Sequence, residues 1–161
     1  MFYDEAIPML RYLINDIDSA TYSDSRLRTQ LNISARYVNV ELFNNSYTVS
    51  VIGSGSISPD PTDAPRDENF INLVVLRAGC DVGRNEFKLA AGQAISIKDG
   101  SSALDLKGTA DQKNIVSQSL CKLYSDAKME FSLSGGAEGT IGAAIFSTYN
   151  FTNYTPRLEI N

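Results

Sequence analysis

The sequence predicts a mainly α fold, a small helical bundle with a short β element near 47–52 and an extended C-terminal arm. Apolar residues recur at steps of three and four over most of the chain up to residue 128, which is the spacing of one helical face. The chain has 161 residues and is 43% hydrophobic, enough to build one core. We expect a bundle domain over 1–133 with a long loop at 53–65, then a Gly-rich hinge and arm over 134–161.

Two amphipathic helices are predicted in the first third of the chain. The helix over 2–17 contains Pro8, which should end its first turn or kink it, because proline removes an N–H donor and clashes with the preceding turn. The helix over 22–43 has the clearest period, and either Thr21 or Ser23 can cap it. Its predicted core face consists of Leu27, Leu31, Ala35, Val38 and Leu42.

A strand and a long loop follow these helices. Apolar and hydroxyl residues alternate over 47–52, which predicts a strand. The segment 53–65 is rich in Gly, Pro, Ser and Asp, and it is long for a passive link in a compact domain. We therefore interpret it as a contact loop that is mobile in the free monomer, with Ile57, Asp60 and Asp63 as partner-binding residues.

The second half of the bundle is predicted from three further helical stretches. The helix over 66–80 is apolar on most sides and should lie at the bundle centre. The stretch 82–97 continues the pattern, 98–102 is a predicted turn, and 103–107 is a short extended piece. The helix over 109–128 places its apolar face at Ile115, Val116, Leu120, Leu123, Tyr124 and Ala127.

The end of the chain changes character. Four glycines lie within 134–145, and the aromatic and aliphatic residues after it share the period of two of an extended chain. We expect this arm to add to a sheet edge or groove of a neighbouring protein, with folding back as a last strand of its own domain as the alternative. The candidate binding residues are Phe146, Tyr149, Phe151, Tyr154, Leu158 and Ile160.

The residue types argue against catalysis. The chain has no histidine, which removes the commonest general base and the usual metal ligand. Cys80 and Cys121 are interpreted as free, buried residues in a reducing compartment, with a disulfide as the alternative. The acidic pairs near the loop are interpreted as solvated charge and helix capping, with a magnesium or calcium site as the alternative. We expect no enzyme activity, no catalytic residue, no metal and no cofactor.

Charge and hydropathy limit the partners. The net charge of −5 argues against a surface that grips DNA phosphates. Arg66, Arg77 and Arg84 are interpreted as part of a solvated face, with an anion or nucleic-acid site as the alternative. No apolar run is long enough to cross a membrane, and the charged first 17 residues do not form a signal peptide.

A family resemblance rests on several short segments spread over about 22–130. They are Tyr22-Ser23-Asp24-Ser25-Arg26-Leu27, Ile57-Ser58-Pro59-Asp60-Pro61, Arg66-Asp67-Glu68-Asn69-Phe70-Ile71-Asn72-Leu73-Val74-Val75-Leu76, Ile97-Lys98-Asp99-Gly100-Ser101-Ser102 and Leu106-Lys107-Gly108-Thr109. In this order they resemble the head-to-tail connector proteins of tailed bacteriophages, also called adaptor or neck proteins. These are packing and turn motifs, so the resemblance assigns no active site.

The resemblance implies a structural virion protein that forms a ring, commonly dodecameric, between the portal and the tail. Its partners would be copies of itself, the portal protein and other neck or tail proteins, and DNA would pass through the ring without specific binding. The implied location is the virion neck, after assembly in the host cytoplasm, with no membrane contact. Alternatives are a stopper or tail terminator, a small ligand-binding module that uses the loop 53–65, and, more distantly, a hydrolase.

Overall fold

The computed structural model describes residues 1–52, 55–96 and 103–133. Over these ranges the chain forms four helices and one antiparallel pair of short strands, which confirms the mainly α class. The elements are α1 (Phe2–Leu13), α2 (Asp24–Leu42), β1 (Thr48–Ser50), β2 (Ser56–Ser58), α3 (Glu68–Ser96) and α4 (Ala103–Leu133).

Helix α1 is shorter than predicted but is not ended by its proline. Pro8 lies inside the helix, which continues to Leu13. The predicted end at residue 17 is wrong, because Asn15 adopts a left-handed backbone with φ of 56° that closes the helix. The buried side of α1 consists of Phe2, Tyr3, Ala6, Leu10 and Arg11.

Helix α2 follows its prediction closely. The Ser23 side chain caps it by accepting a hydrogen bond from the Arg26 backbone N–H at 3.3 Å. Asn44 and Asn45 both have positive φ and end it. Four residues of the predicted core face, Leu27, Leu31, Ala35 and Val38, are fully buried.

The two strands form a small antiparallel sheet in the register Thr48↔Ser58, Val49↔Ile57 and Ser50↔Ser56. The predicted strand near 47–52 is confirmed, but the interpretation of 53–65 as one long loop is wrong at β2. A strand of three residues next to a proline is too short to show a period of two. The Asn39 side chain on α2 holds the sheet through both the N–H (3.0 Å) and the carbonyl (2.6 Å) of Tyr47.

Helix α3 is one continuous element where the sequence suggested two consecutive stretches. The Asp67 carboxylate caps its start by accepting from the Phe70 N–H at 2.9 Å. The helix packs against α1, α2 and α4, so the predicted central position is confirmed. Its buried apolar residues include Phe70, Ile71, Leu73, Val74, Val75, Leu76 and Ala78.

Helix α4 is longer than predicted, and one part of its predicted face is wrong. The helix begins at Ala103, so 103–107 is helical and not extended. Ile115 and Val116 are exposed, and Leu123 is only partly covered. The buried stripe instead follows Ser117, Leu120, Tyr124, Ala127 and Phe131, at steps of three and four.

A disulfide joins Cys80 of α3 to Cys121 of α4, with an S–S distance of 2.01 Å. The prediction of two free cysteines is therefore wrong, although Cys80 is buried as expected. Spacing along the chain does not reveal the pair, because the two residues meet only when α3 and α4 pack antiparallel as neighbours. The bond fixes the relative positions of these two helices.

Candidate functional site

The predicted loop residues lie in β2 and in the turns that connect it to α3. The mobility of this segment in the free monomer stays a prediction. Ile57 is half-buried opposite Val49 and packs against the core. The Asp60 carboxylate accepts from the Thr62 N–H (3.0 Å), the Thr62 hydroxyl (2.7 Å) and the Phe2 N–H (3.2 Å). Burial opposes ionisation of Asp60, but these hydrogen bonds dominate and lower its pKa. Asp63 is exposed, and of the three it is the residue most available to a partner.

The predicted arm residues, Phe146, Tyr149, Phe151, Tyr154, Leu158 and Ile160, lie outside the described residues, as does the predicted turn at 98–102. Their partner-binding role stays a prediction.

An apolar surface on α2, here called the α2 patch, consists of Ile33, Arg36, Tyr37, Val40 and Val51. These residues surround a shallow depression of about 440 Å³ between the outer side of α2 and the end of β1. Ile52, next in the chain, is 90% exposed. The sequence carried a signal for this surface, since Ile33, Tyr37 and Val40 form a second stripe at helical spacing, opposite the core stripe.

A second apolar surface, here called the α1 groove, is a depression of about 630 Å³ lined by Asp4, Ile7, Pro8, Tyr12, Ile17 and Asp24, with Tyr3, Arg11 and Ser19 completing it. Tyr12 and Ile17 are mostly exposed. Ile17 was predicted to be the last residue of the first helix, and it is exposed because the helix ends before it. The groove therefore joins the outer side of α1 to the start of α2.

A charge cluster around the buried Arg11 forms the floor of the α1 groove. Arg11 is only 8% exposed and donates to the carboxylates of Asp16 (2.8 Å) and Asp24 (2.5 Å) and to the carbonyl of Tyr22 (2.9 Å). Backbone hydrogen bonds from Thr21 and Tyr22, with Arg11 beside them, lower the pKa of Asp16 despite its burial. The cluster ties the end of α1 to the start of α2 and keeps the groove walls in place.

A cavity of about 350 Å³ lies between the end of α1, α3 and α4. Its apolar wall includes Val82 and Leu120, and its polar side carries Glu86, which accepts from the Tyr22 hydroxyl and from Lys113 at 2.6 Å. Hydrogen bonds from Lys113 and Tyr22 lower the pKa of Glu86, while burial and the same carboxylate raise the pKa of Tyr22. The polar groups thus satisfy one another, and the cavity presents mainly apolar surface to a ligand.

The three arginines considered as an anion site do not form one. Arg66 pairs with Glu5 and Glu68. Arg77 pairs with Asp81 at 3.2 Å and lies over the rings of Tyr37 and Tyr124. Arg84 is exposed. Two of these cations are therefore engaged by carboxylates in structural contacts.

Within the described ranges, no group of three or more His, Cys, Asp or Glu side chains could hold a metal ion. None of the helices in those ranges is long and apolar enough to cross a bilayer. The functional candidates that the described residues offer are therefore two apolar surfaces and one mainly apolar cavity.

Comparison with known proteins gives no match: no family model, no curated protein and no solved structure is similar to this chain.

Proposed function

We propose that this chain is a structural head-to-tail connector (adaptor) of a tailed bacteriophage, which forms a ring between the portal and the tail and lines the DNA channel. The proposal starts from the resemblance described above and assigns the chain no enzymatic role. Its partners are copies of itself, the portal protein and other neck or tail proteins. By analogy with the resembling proteins, we expect twelve copies in the ring. Its place is the virion neck.

The observation that carries the proposal is the presence of two separate apolar surfaces on a helical bundle with no metal-binding cluster among its described residues. Exposed apolar side chains that cluster together with polar residues around them are a feature of protein interaction sites. A ring subunit needs two of them, because each copy must contact a neighbour on either side.

Three of the resembling segments lie at the starts of helices or inside them. The first, 22–27, contains the Ser23 cap and the opening of α2. The segment 66–76 forms the start of the central helix α3, and 106–109 lies in α4. These segments therefore belong to the bundle itself, and the adaptor role rests on the resemblance.

The acidic balance suits a channel wall. With a net charge of −5, the protein should repel duplex DNA or bind it weakly at physiological salt, so that DNA moves instead of being held. Fluorescence anisotropy with a labelled duplex should show no sub-micromolar binding by the isolated protein, and such binding would contradict this part of the proposal.

One alternative has an observation in its favour. The cavity between α1, α3 and α4 falls in the size range of small-molecule sites, which would suit a small ligand-binding module. It lies away from the loop 53–65, where the sequence placed such a site. A stopper or tail terminator remains the other structural alternative.

Immunogold electron microscopy tests the proposal directly. Antibodies against the chain should label tailed-phage particles that contain it at the head-to-tail junction, and after heads and tails are separated the label should stay with the head. Label that stays with the tail would favour a tail terminator. Absence of label from the particles would overturn a virion role.

A further inference from the structure

The α2 patch and the α1 groove are two different surfaces at opposite ends of one helix. Asp24, in the first turn of α2, lines the groove, whereas Ile33 to Val40 of the patch lie in the second half of the helix. At 1.5 Å per residue, Asp24 and Val40 are separated by about 24 Å along the axis. No residue lines both surfaces, so one copy can use both at the same time.

The two surfaces carry opposite charges around apolar centres. Arg36 is the one charged residue lining the patch, and it forms no ion pair with any described residue. The groove has exposed carboxylates at Asp4 and Asp24, and Asp18 lies beside its lining residue Ile17. Three cations lie near it: Arg11, which pairs with Asp16 and Asp24, the Met1 amine, 3.8 Å from Asp4, and Arg28, which lies over the Tyr3 ring. The four carboxylates, Asp4, Asp16, Asp18 and Asp24, therefore exceed these cations by one negative charge.

We propose that the α1 groove of one copy receives the α2 patch of the next copy, so that copies join head to tail. In this arrangement Tyr37 and Val40 enter the apolar groove beside Tyr12 and Ile17, and Arg36 meets the carboxylates at the groove edge. Tyr and Arg are the residue types that most often dominate binding energy at interfaces.

The charge pattern also selects against symmetric pairing. A patch against a second patch would bring two Arg36 guanidinium groups together, and a groove against a second groove would bring carboxylates together, both of which are repulsive. Contact between unlike surfaces removes both penalties. A contact between unlike surfaces is heterologous. It closes into a ring when the rotation that relates neighbouring copies is a full turn divided by a whole number.

This inference rests on the proposed ring function and names the two surfaces through which the ring would form. Two full-length variants test it. A patch variant carries Arg36→Glu with Val40→Asp, and a groove variant carries Tyr12→Lys with Ile17→Lys. Val40, Tyr12 and Ile17 are mostly exposed, so both variants should fold. A control, Met129→Asp, changes an exposed apolar residue of α4 outside both surfaces.

Sedimentation velocity over a range of concentrations is the measurement. Wild type and the control should self-associate. Each variant alone should associate at least about tenfold more weakly than wild type. An equimolar mixture of the two variants should recover association, but only to a dimer, because each variant keeps one intact surface. Circular dichroism melts of all proteins verify folding.

Three outcomes overturn the inference. One is a wild-type protein that stays monomeric at the highest concentration. Another is a single variant that assembles like wild type, and the third is a mixture that stays monomeric. These results do not depend on the immunogold result: label at the neck without this contact would leave the function standing and remove only the proposed interface. Contact between the groove and the patch without label at the neck would support the interface and overturn the proposed function.

Discussion

Leu73 is fully buried in the first third of α3, the helix that packs against α1, α2 and α4. Leu73→Ala should lower the free energy of unfolding by about 2–5 kcal/mol, because it removes transfer energy and leaves a cavity. The matched control is Leu89→Ala on the same helix, which is 59% exposed and should change stability by less than about 0.5 kcal/mol. Urea unfolding gives both values, and equal, small losses would show that α3 is peripheral.

Asp16 makes the protein sensitive to acid. Its pKa is lowered in the folded state by hydrogen bonds from Thr21 and Tyr22 and by Arg11, so its stabilising contribution is complete above the ordinary carboxyl pKa. That contribution is lost as the pH falls through the lowered folded-state pKa. Asp16→Asn should therefore destabilise the protein at pH 7 and have a smaller effect at low pH.

Thermal melts of wild type and Asp16→Asn across pH 2 to 7 check this expectation. The matched control is Asp63→Asn, which changes an exposed carboxylate on the loop. A difference between wild type and Asp16→Asn that stays constant over the whole acid range would show that the carboxylate charge contributes nothing.

At the scale of elements, Gly55 fixes how the β1–β2 pair lies on α2. Its φ is +66°, and a Cβ atom at this position would collide with the Asn32 amide, whose oxygen accepts from the Tyr3 hydroxyl at 2.5 Å. Gly55→Ala should cost about 1–2 kcal/mol from backbone conformation alone, with the collision adding to it.

Gly92→Ala is a control with the opposite expected sign. Gly92 lies inside α3 with open space around its Cα, so alanine should stabilise the helix by about 0.5–1 kcal/mol. The two substitutions should thus shift the melting temperature in opposite directions, as measured by differential scanning calorimetry. A Gly55→Ala protein as stable as wild type would mean that the strand pair does not pack on Asn32.

Periodicity predicted the elements that bury one continuous stripe and missed those decided by contacts far apart in the chain. The core face of α2 and the central place of α3 follow from apolar spacing alone. Residues 103–107 alternate like a strand, yet α4 begins at Ala103 because the segment continues a helix that packs along α3. The Cys80–Cys121 bond depends on how α3 and α4 pack against each other, which no local pattern contains. The strand Ser56–Ser58 was missed because three residues are too few to show a period of two.

For the candidate site, the sequence predicted contact residues within 53–65, and their partner-binding role stays a prediction. Asp60 is a charged residue in a Pro- and Ser-rich segment, which suggested a contact residue. In the structure its carboxylate accepts a hydrogen bond from the Phe2 N–H at the start of α1. The α2 patch is visible in the sequence as a second helical stripe. Because polar residues lie among its apolar ones, this face is interpreted as exposed to solvent unless the packing of the helix is known.

At the largest scale, the binding of the C-terminal arm to a neighbouring protein remains a prediction. Deleting residues 147–161 should leave the melting temperature unchanged and weaken binding to the portal or to neighbouring copies, because the extended aromatic pattern suits a strand added to another protein. Calorimetry and co-sedimentation with portal particles measure the two effects. A truncated protein that unfolds or aggregates would show that the arm belongs to the domain's own fold.

The sulfur bridge between α3 and α4 makes this part of the molecule a covalent loop, with its two cysteines 41 positions apart in the chain. A single backbone cut inside the loop cannot release either half. A protease that cuts once between residues 81 and 120 should therefore leave one band on a non-reducing gel and two bands after a thiol reductant is added. Nicked chains would stay covalently linked, so a gel run without a reductant would not reveal proteolysis in this region.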